Sequence, residues 1–111
     1  DGTGVRDYIH VSDLAAGHVR ALQHLQQGPA CLTLNLGSGQ GHSVLEVIRA
    51  FEQASGRPIP YQFAPRRAGD LPAFWADATP AERVLGWKAG CSLLQMCEDT
   101  WRFQTRAGAS V

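Results

Sequence analysis

The alternating run CLTLNL at residues 31–36 breaks directly into GSGQG, and behind it Ser43 and Glu46 stand three apart at the head of a stretch with apolar residues at helical spacing. A period of two, then glycines, then a capping box and a period of 3.6 predicts strand, turn and helix in succession. Such a chain must bury a sheet face against a helix face, which restricts it to the α/β or α+β classes.

The remaining sequence repeats that grammar. Residues 5–11, VRDYIHV, predict a short strand running into a helix capped by Ser12 and Asp13, with Asp13 as a structural cap and dipole partner. Leu14, Ala15, Val19, Leu22 and Leu25 form the apolar face of that helix, and Gly28 and Pro29 stop it. Gly17 inside it costs about 1 kcal/mol relative to Ala, which predicts close packing against another backbone. Val44, Val47, Ile48, Phe51 and Ala54 give the stripe of the next helix, ended by Gly56 and Pro58. PYQFAP at 60–65 predicts an edge strand because prolines bound it. Residues 66–78 have no period and predict an ordered loop in which Phe74 and Trp75 find burial. Thr79 as N-cap, Pro80 in the first turn, Glu82 as capping partner and Gly86 as stop predict a small helix. Ser92 and Gln95 cap a last helix to about Gln104, with RAGASV frayed behind it.

A length of 111 residues with 44% hydrophobic residues suits one domain with a core and excludes a disordered tail. Ten basic residues balance ten acidic ones and form no stripe, so no nucleic-acid partner is expected. The apolar runs fall far short of the roughly 20 residues that span a bilayer, so no membrane segment is expected. Cysteines at 31, 91 and 97, without CxxC spacing, fit reduced thiols in a cytoplasmic protein. With Asp1 first and Met96 its only methionine, the chain is expected to be a fragment of something larger.

Few residues invite chemistry. Gly37, Gly39 and Gly41 give GxGxG, without the spacing of a dinucleotide fingerprint or the Lys-Ser/Thr pair of a phosphate loop, so a turn needing positive φ is expected there. The histidines at 10, 18, 24 and 42 and the cysteines form no metal-ligand spacing, so no metal site is expected. Arg66 and Arg67 with Asp70 allow two readings. One is a solvated surface ion pair worth little; the other is a guanidinium fork for phosphate beside a carboxylate for ribose or sugar hydroxyls.

DGTGVRDYIHVSDLAAGH, LNLGSGQGHSVLEVI, FAPRRAGDLPAFWADATPAERVLGW and CEDTWRFQ, in that order, resemble the C-terminal part of the UDP-glucose 4-epimerases, which are extended short-chain dehydrogenase/reductases. The resemblance implies an α/β fold in which residues 1–111 form the C-terminal UDP-sugar-binding region, with an N-terminal Rossmann domain holding NAD absent from this chain. It implies cytoplasmic interconversion of UDP-glucose and UDP-galactose in galactose metabolism, through hydride removal at carbon 4 and return to the other face of a keto intermediate. The family's Tyr-x-x-x-Lys pair is not in this chain, since Tyr8 is followed four residues later by Ser12 and Tyr61 by Pro65. No catalytic residue is therefore expected here, and the segment alone should be inactive.

By the same resemblance Arg6 and Arg67 grip the UDP diphosphate, Asp70 bonds the ribose hydroxyls and Phe74 lines the sugar pocket. Ala68 replaces an acidic residue common in the family, and Phe74 a tyrosine of many bacterial members. The full enzyme should be a homodimer, and the fragment should expose an apolar patch that drives self-association. The rivals are a related nucleotide-sugar epimerase, decarboxylase or dehydratase, and a non-catalytic nucleotide-sugar binding module.

Overall fold

Ser43 and Glu46 close the capping box their spacing predicts. Ser43 Oγ accepts from the Glu46 amide and Glu46 Oε1 from the Ser43 amide, each at 3.1 Å. This is seen in a computed structural model that describes residues 1–28 and 31–109. The predicted stop at Pro29 and the end of the predicted frayed tail lie outside the described residues.

The element order is β1 (Val5–Arg6), α1 (Val11–Leu25), β2 (His42–Ser43), α2 (Val44–Ser55), α3 (Thr79–Leu85) and α4 (Leu93–Ala109). β1 and β2 pair antiparallel, with Val5 opposite Ser43 and Arg6 opposite His42. Val5 also forms a parallel bridge with Ala73, which ties the 66–78 loop to the same short strand. Helix stops fall where glycine permits the left-handed turn: Gly56 at φ +69 and Gly86 at φ +64. α4 runs past the expected end at Gln104 to Ala109, and Ser92 Oγ accepts from the Gln95 amide at its head.

Several expectations need correction. β1 is two residues long where the pattern predicted seven, because α1 begins at Val11 and is capped by His10. His10 Nδ1 accepts from the Ser12 amide, which leaves Nε2–H to donate to Asp99 on α4 at 2.7 Å. Asp13 is structural but not the cap: its Oδ2 accepts from the amides of Gly90 and Cys91 and so fastens α1 to the approach of α4. Thr79 lies inside α3, and its amide is taken by Asp77 Oδ1 at 3.1 Å. Residues 31–36 and 60–65 form no strand, because their backbone groups meet no partner strand among the described residues.

The core is small and lies where α1 meets α3: Ala81, Leu85 and Trp87, flanked by Ile9, Ala21, Leu34 and Leu36. Trp87 satisfies its indole N–H on the Asp13 carbonyl at 2.8 Å. Gly17 is buried against that ring, not against a backbone. A Cβ there would stand 2.9 Å from Leu36 Cδ1 and 3.2 Å from the Trp87 ring. Leu36 can swing aside, but the anchored indole cannot, and that contact is what requires glycine.

α2 and α4 pack on each other and bury Leu45 and Cys97. The predicted stripe of α1, by contrast, is largely uncovered, with Val19 52% and Leu22 62% exposed. An apolar groove of about 400 Å³ beside it is lined by Leu25, Leu32, Leu34, Leu36 and Leu85. The radius of gyration is 16.9 Å, against about 13 Å for a compact domain of this length. The accessible surface of 8070 Å² exceeds the roughly 6,000 Å² of a compact monomer of 12.0 kDa by about 2,000 Å², the area of a substantial interface. Among the described residues no helix is long and apolar enough to cross a membrane.

Candidate functional site

Asp7, at the end of β1, is the organising group. Its Oδ1 accepts from the Ser38 amide at 3.0 Å and from Ser38 Oγ at 2.7 Å, while its Oδ2 accepts from the amides of Gly39 at 3.0 Å and Ala76 at 3.2 Å. Partial burial pushes this carboxyl up, but the bonds from Ser38, Gly39 and Ala76 together outweigh it and hold the carboxyl below its ordinary value. One anion thus joins β1, the glycine turn and the long loop.

The glycine turn is built around that anion. Gly39 has φ +75, as a turn needing positive φ requires. Gly37 and Gly41 are glycines for room: a Cβ on Gly37 would stand 2.7 Å from Asp7 Oδ2, and one on Gly41 2.6 Å from Val5 Cγ1 and 3.0 Å from the Trp75 ring. The turn's Ser38 and Gly39 amides already hold a carboxylate and are not free to cradle a phosphate. The turn does not fit the pyrophosphate of a dinucleotide such as NAD.

The loop is pinned at both ends of its functional stretch. Val5 donates to the Pro72 carbonyl at 3.0 Å, the Phe74 amide donates to the Val5 carbonyl at 3.1 Å, and Ala76 is held by Asp7. Hydrogen bonds order it in place of the burial its aromatics suggested: Phe74 is 50% and Trp75 56% exposed.

The four predicted site residues form two pairs. Arg6 lies over the Phe74 ring, its guanidinium carbon 4.3 Å from the centroid, and its Nη1 donates to the Val5 carbonyl at 2.8 Å. Arg67 Nε donates to Asp70 Oδ2 at 2.9 Å, with the arginine side chain 86% exposed. No hydrogen bond among the described residues joins one pair to the other. A contact of the second kind is worth little in itself, so Arg67 is easily drawn to a stronger anion. Arg66 donates to the Gly2 carbonyl at 3.3 Å.

Sequence reasoning missed Asp7. The available signal was a carboxylate at the end of a strand in a chain whose glycine turn otherwise had unclaimed amides. The three cysteines are free. Among the described residues no group of three His, Cys, Asp or Glu side chains is placed to hold a metal.

Over residues 1–100 the chain matches the family described as GDP-mannose 4,6 dehydratase, and it belongs to that family, within the extended short-chain dehydrogenase/reductases. Its similarities lie with one branch. It is 58% identical over 106 residues to the UDP-glucose 4-epimerase of Yersinia pestis, covering 96% of this chain and 31% of that protein. It superposes with a TM-score of 0.95, at 54% identity, on the UDP-glucose 4-epimerase of Stenotrophomonas maltophila solved with NAD and formylated UDP-arabinopyranose, covering 100% of this chain and 33% of that one. The Bifidobacterium longum enzyme in complex with NAD+ and UDP gives a TM-score of 0.91 at 50% identity, again over 100% of this chain and 33% of that one. The chain spans about a third of the length of these relatives, and its fold is an α/β segment of theirs.

Proposed function

We propose that residues 1–111 form the C-terminal UDP-sugar-binding region of a UDP-glucose 4-epimerase that interconverts UDP-glucose and UDP-galactose. Arg6 and Arg67 bind the diphosphate, Asp70 the ribose hydroxyls, and Phe74 bounds the sugar. The observation that carries this reading is Arg6. It is half-buried and held over the Phe74 ring, and it uses one of its five N–H donors on the Val5 carbonyl while meeting no carboxylate within ion-pair distance among the described residues. Relatives solved with UDP or a UDP-sugar support it. Nothing in these comparisons supports a decarboxylase or a non-catalytic module.

The proposal places an N-terminal domain against the uncovered stripe of α1 and the groove beside it. There it supplies the surface contact this chain lacks, the neighbours of the unpaired backbone at 31–36, the NAD site and the proton-transfer residues. The whole protein is proposed to be a cytoplasmic homodimer.

Calorimetry with UDP on the full-length protein tests the reading. Arg6→Ala and Arg67→Ala each remove a charge-assisted contact worth about 1.5–3 kcal/mol, so each should raise the dissociation constant by roughly 10- to 150-fold. Asp70→Ala should do less, because a hydroxyl contact is partly replaced by water. Unchanged affinity in Arg67→Ala would return the pair of Arg67 with Asp70 to a plain surface contact. The 111-residue chain alone should show no turnover of UDP-galactose above buffer, and measurable turnover would refute the division of labour.

A further inference from the structure

Arg6 and Phe74 lie far apart in sequence and meet on one atom. The Val5 carbonyl oxygen accepts from the Phe74 amide at 3.1 Å and from Arg6 Nη1 at 2.8 Å. The backbone bridge between Val5 and Ala73 fixes where the ring stands, and the ring lies under the guanidinium at 4.3 Å. A guanidinium over an aromatic ring is attracted through its charge, and the ring, unlike a carboxylate, offers no oxygen to accept its N–H groups. Phe74 therefore holds Arg6 in place while leaving its donors for an incoming anion. A carboxylate partner would take up to two donors and compete with an incoming anion for them. Arg67 shows that contrast within the same site, since its Nε is already occupied by Asp70.

We propose that Phe74 is a positioning residue for Arg6, so that the side chain bounding the sugar and the side chain gripping the diphosphate work as one coupled unit. The proposal rests on Arg6 being a diphosphate ligand. A residue that merely lined the sugar pocket would not influence UDP, which carries no sugar at that end. A positioning residue does influence it.

The test is calorimetry with UDP on the full-length protein as wild type, Arg6→Ala, Phe74→Leu, the double variant and Phe74→Tyr. Phe74→Leu keeps an apolar side chain and the backbone bond to Val5 but removes the ring face. It should raise the UDP dissociation constant about two- to five-fold, the worth of a partly exposed cation–π contact. The same substitution in the Arg6→Ala background should change nothing further, and Phe74→Tyr should restore the affinity. If Phe74→Leu binds UDP as wild type does while Arg6→Ala is weakened, the coupling is wrong and the diphosphate role of Arg6 stands. If Phe74→Leu weakens UDP equally with and without Arg6, the ring acts through general packing and the proposal is overturned. If Arg6→Ala itself leaves UDP affinity unchanged, both the diphosphate role and the coupling are overturned together.

Discussion

Asp7→Ala is expected to lower the stability of the full-length protein by about 3 kcal/mol and to cost it UDP affinity at the same time. One charged acceptor serves four donors from two distant segments, and without it the half-buried Ser38 and Ala76 amides lose their partner. Each unsatisfied amide costs about 1–3 kcal/mol, and water can reach the exposed Gly39 amide, which keeps the total near 3. Asp7→Asn should be nearly as damaging despite its equal shape, since one oxygen becomes an N–H facing an N–H. Urea midpoints compared with wild type give the measurement, and a loss under about 0.5 kcal/mol for Asp7→Ala would refute the role.

The pH dependence of this contribution has a defined sign. The folded-state carboxyl is depressed below 3.8, so the unfolded chain takes up the proton first. The contribution is full above about pH 4 and is lost as the pH falls through the depressed folded value. Asp7→Asn should flatten the acid limb of the stability profile in that window.

Phe74→Ser is expected to change which sugars the enzyme accepts. On the proposed reading the ring would stand beside the hexose near carbon 2, where an N-acetyl group would need its volume. Overpacking of that kind is resisted by about 1–3 kcal/mol, so wild type should favour UDP-galactose over UDP-N-acetylgalactosamine, and Phe74→Ser should raise kcat/KM for the latter by about 5- to 160-fold. The competing explanation is loss of a packed side chain, which would lower activity on both sugars together. The stacked Arg6 adds a refinement: on the plain sugars kcat should persist while KM rises a few-fold. Wild type turning over both sugars comparably, or a folded Phe74→Ser without gain, would end the gatekeeper role.

The helix ends that were legible in the sequence were those set by local capping chemistry. The Ser43 and Glu46 box, the left-handed Gly56 and Gly86, and the bond from the Gln95 amide to Ser92 all lie within a few residues of the helix they bound. The start of α1 was not legible, because an imidazole serves as its cap and the more familiar capping residue, Asp13, is used by amides 77 and 78 residues away. Strands failed for a related reason. Alternation at 31–36 records a preference for extended backbone, but a ladder exists only when a second strand is present to pair with it.

The site divides the same way. Arg6, Arg67, Asp70 and Phe74 were reached through motif resemblance, and no local pattern announced that the first lies on the last. Asp7 was passed over because nothing next to it in sequence needs a carboxylate; its partners are 31 to 69 residues away.

Those separations also order events in time. α2 carries its own start and stop, so it can form from contacts spanning a few residues. The loop bearing Arg67, Asp70 and Phe74 holds no helix or strand of its own before α3, and the carboxylate that seats it at Ala76 comes from 69 residues upstream. Closing a span of that size costs chain entropy before any of its bonds are gained, which puts this loop among the last parts to settle. A ligand held there binds only chains that have finished folding, so occupancy of the site draws the population toward completion by mass action.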